Sequence, residues 1–161
     1  MRLNFELRPG GLFFLLMAII GLLNTGAVAQ NAITFERSGL VLISESGRHN
    51  FTVEMAITNN QRRQGLMYRR AMAADAGMLF DYGRPRMISM WMKNTLIPLD
   101  MIFIAANGRI ASIARNTTPH SLQSINSTGP VRAVLEVNAG TAMRLNLEIG
   151  DRVEHDIFSS D

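Results

Sequence analysis

The sequence predicts a mainly β protein, a compact single-domain β sandwich or barrel with one or two short helices. Apolar residues recur at every second position in several segments, turn-forming residues separate those segments, and only short stretches have a helical pattern. Many short strands joined by turns are typical of sandwiches and barrels. We therefore expect one mainly β domain over residues 30–161.

The first 29 residues have the features of a secretory signal peptide. Arg2 and Arg8 give a basic start, an apolar run covers residues 12–23, and small residues precede a cleavage site after Ala29. A membrane-spanning helix needs about 20 apolar residues, and this run is shorter. We expect cleavage after Ala29, no membrane span in the mature chain, and a location in the periplasm or outside the cell.

A strand followed by a short helix is predicted at residues 51–65. Apolar and polar residues alternate along residues 51–57, which is the pattern of a half-buried strand. Thr58 and Gln61 have the spacing of a capping box, in which two side chains bind free backbone N–H groups at a helix start. We expect this helix to run from Asn59 to Gln64 and to end near Gly65.

A β hairpin is predicted around Asn107-Gly108. This dipeptide favours a two-residue type I′ turn, in which both residues have positive φ. The flanking residues 99–104 and 109–114 are rich in apolar side chains. We therefore expect these two segments to pair as antiparallel strands.

The rest of the domain has the same succession of strands and turns. Residues 82–85 are expected to form a turn and residues 139–145 a helical turn. Residues 116–130 are rich in Ser, Thr and Asn and are expected to form a long surface loop. The remaining predicted strands are residues 77–80, 87–92, 131–137 and 152–158.

The composition argues against a nucleic-acid partner, a metal site and a cofactor. The predicted signal peptide holds two of the 16 basic and one of the 13 acidic side chains, so the mature chain has a net charge of only +2. The chain has no cysteine, and its three histidines lack the spacing of a metal site. A solvated helix face, rather than a phosphate-binding stripe, is expected for Arg62, Arg63, Arg69 and Arg70.

The only lysine and the only tryptophan of the chain lie two residues apart, at Lys93 and Trp91. Every other basic residue is arginine, and a lysine ammonium differs in being a compact charge whose pKa moves readily on burial. If residues 90–95 are extended, Trp91, Lys93 and Thr95 point to one side and the side chains at even positions to the other. An indole ring and an ammonium group on one face suit a polar ligand.

Six sequence blocks, in this order, resemble the bacterial and archaeal domain-of-unknown-function family numbered 192. The resemblance covers residues 51–153, with Tyr68 where the family more often has phenylalanine. It implies a compact, mainly β domain that is often exported and has no assigned activity. The blocks are Gly65-Leu66-Met67-x-Arg69, Gly77-Met78-Leu79-Phe80, Trp91-Met92-Lys93-Asn94-Thr95, Ile97-Pro98-Leu99-Asp100, Val134-Leu135-Glu136-Val137 with Gly140, and Gly150-Asp151.

We predict a non-catalytic binding or interaction module that uses the face around Trp91 and Lys93. Its partner is expected to be a polar small molecule or a component of the cell envelope. Asp100 and Glu136 would add hydrogen-bond acceptors to this face. The predicted ligand-binding residues are Trp91, Lys93, Asn94, Thr95, Asp100 and Glu136.

The sequence leaves three other interpretations open. Asp100 and Glu136, with Lys93, could act as the carboxylate pair of a hydrolase. Soft thioethers could bind Cu(I) in a periplasmic chain without thiols, through Met87, Met90 and Met92. A buried polar network that fixes a corner of the sheet could instead join Lys93, Asn94, Thr95, Asp100 and Glu136.

Overall fold

The computed structural model describes residues 32–159. The predicted signal peptide and its cleavage site after Ala29 lie outside these residues. In the part of the chain that the structure describes, no helix has the length and apolar character needed to span a membrane.

Residues 32–159 form a mainly β fold with short helices, as predicted. The helices are α1 (Asn59–Gln64), α2 (Thr141–Arg144) and a 3₁₀ helix (Asp156–Phe158). The strands are β1 (Glu36–Ser44), β2 (Gly47–Ala56), β3 (Ala76–Arg86), β4 (Ser89–Met90), β5 (Leu99–Ile104), β6 (Ile110–Ala114), β7 (Ile125–Asn126), β8 (Val131–Asn138) and β9 (Arg152–Glu154).

Seven of these strands form one curled sheet in the order β6-β5-β8-β3-β2-β1-β9. Its neighbouring strands are antiparallel except β2 and β3, which are parallel and are joined by a crossover that contains α1. A bridge between Arg109 and Arg152 brings the two edges of the sheet together at one end. The sheet is therefore a half-barrel, and β4 and β7 form a separate small sheet beside it.

Apolar side chains pack against both faces of the curled sheet. In β5, Ile102 belongs to the inner cluster and Phe103 to the outer one, because successive side chains of a strand point to opposite faces. Ala142 of α2 helps to cover the inner cluster, and the loop residues Leu66 and Met92 help to cover the outer one. The candidate site lies on this outer face.

Helix α1 begins and ends where the sequence predicts. The Thr58 hydroxyl accepts the N–H of Gln61 at 3.2 Å, and the Gln61 side chain accepts the N–H of Thr58 at 2.9 Å. These two bonds form the predicted capping box, which satisfies N–H groups that have no partner inside the helix. Gly65 follows the helix with a φ of 47°.

Strands β5 and β6 form the predicted hairpin, but the type I′ turn is wrong. Gly108 has a φ of 76°, whereas Asn107 does not have positive φ. The Asn107 side chain accepts the N–H of Arg109 at 3.1 Å, and the N–H of Gly108 donates to the Ala105 carbonyl at 3.0 Å. The register then shifts by one residue after Phe103. This bulge allows the turn to close with a single left-handed residue.

One strand lies where the sequence analysis assigns no element, and one prediction near the end of the domain needs correction. Strand β1 pairs with β2 from Glu36–Met55 to Ser44–Gly47. The predicted strand at residues 152–158 ends at Glu154, where the 3₁₀ helix replaces it. By contrast, β8 and α2 confirm the strand at residues 131–137 and the helical turn at residues 139–145.

The segment between β3 and β4 also differs from its prediction. Residues 82–85 continue β3 instead of forming a turn, and Gly83, with a φ of 76°, lies where the pairing with β8 becomes irregular. Of the predicted strand at residues 87–92, only Ser89–Met90 pairs in a sheet. Its partner is β7, which lies within the predicted loop of residues 116–130. A strand needs a neighbour for its backbone groups, and here only two residues have one.

Candidate functional site

A cavity of about 260 Å³ opens on the outer face of the curled sheet, between α1 and the segment that contains Trp91 and Lys93. Strands β3 and β8 contribute Phe80, Tyr82 and Glu136 to its wall. We call this cavity the Glu136 pocket. The lining residues that matter most for its chemistry are Arg62, Arg63, Tyr82, Trp91, Lys93 and Glu136.

Glu136 is a buried acid without a partner. Its neighbours in the adjacent strands are Met78 and Met101, which are both fully buried. The residue is only 4% exposed, and within residues 32–159 no hydrogen bond or salt bridge to its carboxyl group is formed. Burial raises the pKa of Glu136 to about 8. At neutral pH the carboxyl group is therefore mainly protonated, and it can donate a hydrogen bond as well as accept one.

The Lys93 ammonium group lies over the Trp91 ring, although their segment is not the extended strand on which the prediction depended. The Lys93 Nζ atom is 5.2 Å from the centroid of the Trp91 ring, and both residues line the pocket. A hydrogen bond from the Thr95 N–H to the Met92 carbonyl, at 3.0 Å, closes a turn around Lys93. Lys93 is exposed and forms no salt bridge with the described residues, so its ammonium group is open to a ligand.

Asn94 holds the turn in place and does not line the pocket. Its φ is 55°, in the left-handed region that asparagine enters more readily than most residues. Its carbonyl accepts the N–H of Tyr68 at 2.9 Å, and its side chain donates to the Tyr68 hydroxyl at 2.8 Å. These bonds tie the loop after α1 to the turn that carries Lys93. Thr95, in contrast, is buried and lines the cavity.

Asp100 is fully buried on the other face of the sheet. One carboxylate oxygen accepts the N–H of Asn116 at 2.9 Å, and the other accepts the N–H of Ala142, in the first turn of α2, at 2.8 Å. Because Asp100 pairs with Val137 rather than with Glu136, the two acids point in opposite directions. The structure therefore does not bring Asp100 together with Glu136, either as a hydrolytic pair or as one polar network.

Two arginines and a tyrosine that the sequence analysis did not place in the site line the pocket. Arg62 donates to the Asp81 carbonyl at 2.7 Å, and its guanidinium lies 5.0 Å from the Tyr82 ring centroid. Arg63 is exposed on α1 and donates to Asn60 at 2.8 Å. Burial raises the pKa of Tyr82, and the Arg62 charge opposes part of this rise. The pocket therefore combines one acid with several cationic groups.

The four arginines predicted to share a solvated helix face do not do so. Only Arg62 and Arg63 belong to α1, and Arg62 is half-buried against Tyr82. Arg69 lies after the helix and forms a bidentate ion pair with Glu54. The helix ends at Gly65, so the following arginines cannot continue its face.

The three methionines of the Cu(I) interpretation lie in different environments. Met92 is buried and accepts a hydrogen bond from the Thr117 hydroxyl at 3.2 Å, whereas Met90 accepts one from the Tyr82 hydroxyl at 3.4 Å. Met87 is 59% exposed. Within residues 32–159 no cluster of His, Cys, Asp or Glu has metal-site geometry.

The relationship of this chain to known proteins follows from a family model that matches residues 41–155. The model describes DUF192, an uncharacterized ACR. The chain belongs to the DUF192 family. This confirms the resemblance that the six sequence blocks indicate. No curated protein matches this DUF192 chain.

Two solved structures are similar to this DUF192 protein over most of its length. A Sinorhizobium meliloti 1021 protein, provisionally described as a transcription regulator, is 53% identical, with a TM-score of 0.74 over 76% of this chain and 95% of its own. A protein of unknown function from Novosphingobium aromaticivorans DSM 12444 is 36% identical, with a TM-score of 0.73 over 77% of this chain and 94% of its own.

The sequence contains a signal for the arginine side of the pocket. Two of the family blocks, one starting at Gly65 and one starting at Trp91, are tied together by the Tyr68–Asn94 hydrogen bonds. The Gly65 block begins shortly after Arg62 and Arg63 in the sequence, and this proximity is the hint that the sequence gives of their place in the site. The positions of Arg62 and Tyr82 themselves depend on the curl of the sheet, which no local pattern reports.

Proposed function

We propose that this protein binds a small polar molecule in the Glu136 pocket, without catalysis, and works in the cell envelope after export. The observation that carries the binding proposal is the Glu136 carboxyl group, which lines a cavity and has no hydrogen-bond or salt-bridge partner among residues 32–159. A ligand in this cavity can supply the hydrogen bond that the described residues do not.

The groups around the cavity support binding more than they support hydrolysis. Hydrolysis by a carboxylate pair needs a second acid near the first, and of the residues that line the pocket only Glu136 is acidic. Asp100 is already used by two backbone N–H groups on the other face. A half-exposed indole ring, an open ammonium group and a buried carboxyl group instead match a mostly preformed site with a few polar groups.

The proposal of a cell-envelope location comes from the leader. Residues 1–29 combine a basic start, an apolar run and small residues before Gln30. The family match begins at residue 41, after this leader, so export would leave the matched domain intact.

Binding is tested by calorimetry against sugars, organic acids, amines and amino acids, with Trp91 fluorescence as a second readout. Ser89 lines the pocket and is exposed, so Ser89→Phe should fill the entrance and abolish binding. Ser159→Phe, at an exposed position outside the pocket, is the matched control and should bind like the unmodified protein. Absence of binding in all four classes, or equal binding by Ser89→Phe, would contradict the proposal.

A further inference from the structure

The Glu136 pocket has an excess of positive charge that the protein does not neutralise. Lys93, Arg62 and Arg63 line it, and none of the three forms a salt bridge with the described residues. The Arg62 and Arg63 guanidinium groups bind neutral oxygens instead. Their charge therefore remains available to attract an anion.

The aromatic rings of the pocket already carry cations. The Lys93 Nζ atom lies over Trp91 at 5.2 Å, and Arg62 and Arg86 lie over Tyr82 at 5.0 and 5.7 Å. An amine ligand would have to displace one of these side chains to use a ring face. It would also be repelled by the three cationic groups that line the cavity. A cationic ligand is therefore disfavoured on two counts.

From these contacts, and resting on the proposed function, we infer that the ligand is a small organic anion whose charge lies near Lys93 and which forms a hydrogen bond with the Glu136 carboxyl group. The cavity of about 260 Å³ limits the ligand to roughly one small ring with its substituents. A hydrogen bond between a carboxylic acid and an anionic oxygen is among the stronger hydrogen bonds in proteins.

This arrangement links binding to the proton on Glu136. Loss of that proton removes the donor and places a carboxylate against the bound anion. The charged or titratable groups that line the pocket together with Glu136 are Arg62 and Arg63 from α1, Tyr82 from β3 and Lys93 from the turn. Burial raises the pKa of Glu136 to about 8, so the affinity for an anion should fall above that pH. An amine would show the opposite dependence.

Calorimetry with two matched probe sets tests the inference. One set is glucuronate, glucose and glucosamine; the other is cyclohexanecarboxylate, cyclohexylmethanol and cyclohexylmethylammonium. At pH 6.5 at least one acid should bind about tenfold or more tightly than its neutral and amine counterparts. Lys93→Met should lower the affinity for that acid by a similar factor. Arg144→Met, which removes the same charge from an exposed position in α2, should leave it within about twofold.

The pH dependence gives a second readout that a general charge effect would not give. Between pH 6.5 and 9 the affinity for the acid should fall, approaching about tenfold per pH unit above pH 8. Glu136→Gln retains a donor but cannot ionise, so it should still bind the acid without this fall. Failure of both acids, or an affinity that rises or stays constant with pH, would overturn the inference. Binding of a neutral or amine probe instead would overturn the ligand class and leave the proposed function standing.

Discussion

Asp100 and Glu136 lie on neighbouring strands but point to opposite faces of the curled sheet, because Asp100 pairs with Val137 and Glu136 pairs with Met101. Asp100 uses both of its oxygens to accept backbone N–H groups, whereas Glu136 faces a cavity and has no partner among the described residues. The first acid therefore stabilises the fold, and the second is available to a ligand. We therefore expect substitutions of the two acids to affect stability in different ways.

Asp100→Asn should destabilise the protein and leave the pocket unchanged. The amide keeps one acceptor oxygen and places an NH₂ group against a backbone N–H that then has no acceptor, at a fully buried position. We expect a loss of about 2–3 kcal/mol in the free energy of unfolding, since hydrogen bonds to charged groups are the stronger ones. Denaturant unfolding measures it, and a loss below about 0.5 kcal/mol would contradict the structural role of Asp100.

Lys93→Met should change stability little, because Lys93 is exposed and has no carboxylate partner among the described residues. We expect the free energy of unfolding to stay within about 1 kcal/mol. Asp100→Asn should not rescue Lys93→Met in the double mutant, because the two side chains do not share a face. A loss of about 3–5 kcal/mol that the double mutant recovers would instead show a buried ion pair.

Glu136→Gln should change how stability depends on pH. The folded-state pKa of Glu136, about 8, lies above its ordinary value of 4.5, so the folded protein retains a proton that the unfolded chain releases. The free energy of unfolding should therefore fall as pH rises from about 4.5 to 8, by at most about 1.4 kcal/mol per pH unit. The variant lacks this contribution, so its free energy of unfolding should increase relative to that of the unmodified protein as pH rises through that range.

Denaturant unfolding of both proteins at pH 5, 6.5 and 8 checks this prediction. Burial lowers the pKa of His155. This shift makes the free energy of unfolding rise with pH near pH 6, opposite to the effect of Glu136. That contribution is common to both proteins and cancels in their difference. Parallel pH profiles for the two proteins would contradict the burial of an unpaired Glu136.

Gly108→Val should destabilise the β5–β6 hairpin. Gly108 has positive φ, and a Cβ atom there would lie 2.7 Å from the Val153 carbonyl oxygen. We expect a loss of more than about 1–3 kcal/mol, since the steric clash adds to the backbone strain. Gly39→Ala, in β1 at ordinary φ with no atom within 4 Å of its Cβ, is the control and should be neutral or slightly stabilising. Equal melting temperatures for both variants would rule out this turn geometry.

Export should produce a mature chain that begins at Gln30. The small residues before that position satisfy the cleavage rule, and the apolar run is too short for stable anchoring. Intact-mass measurement on protein from the envelope fraction determines the N-terminus. A dominant species that begins at Met1 would contradict the envelope location.

Local patterns predict the parts of this fold that local chemistry determines. The capping box places α1 to the residue, and Asn107-Gly108 places the hairpin between β5 and β6. The same patterns miss β1 and the continuation of β3 through Gly83, because both depend on pairing with strands distant in the sequence. The turn type at Gly108 also depends on the bulge in the pairing of β5 with β6.

The candidate site is partly predictable for the same reason. Alternation along the chain places Trp91 and Lys93 on one face, and both line the pocket, although their segment forms a turn and Met90 lines the pocket as well. It cannot decide whether Asp100 and Glu136 meet, since that depends on the register between β5 and β8. A shift of one residue in that register would reverse the face of every side chain in the strand.

The most direct measurement is the titration of the Glu136 carboxyl carbon by NMR, first without a ligand and then with a saturating acid from the probe panel. We predict a pKa near 8 for the free protein and a higher value in the complex, because an anion that accepts a hydrogen bond from the protonated Glu136 carboxyl group stabilises the protonated form. The amine probes should not raise it. A pKa near 4.5 in the free protein, or one that bound anions leave unchanged, would contradict a ligand site built on a buried, unpaired Glu136.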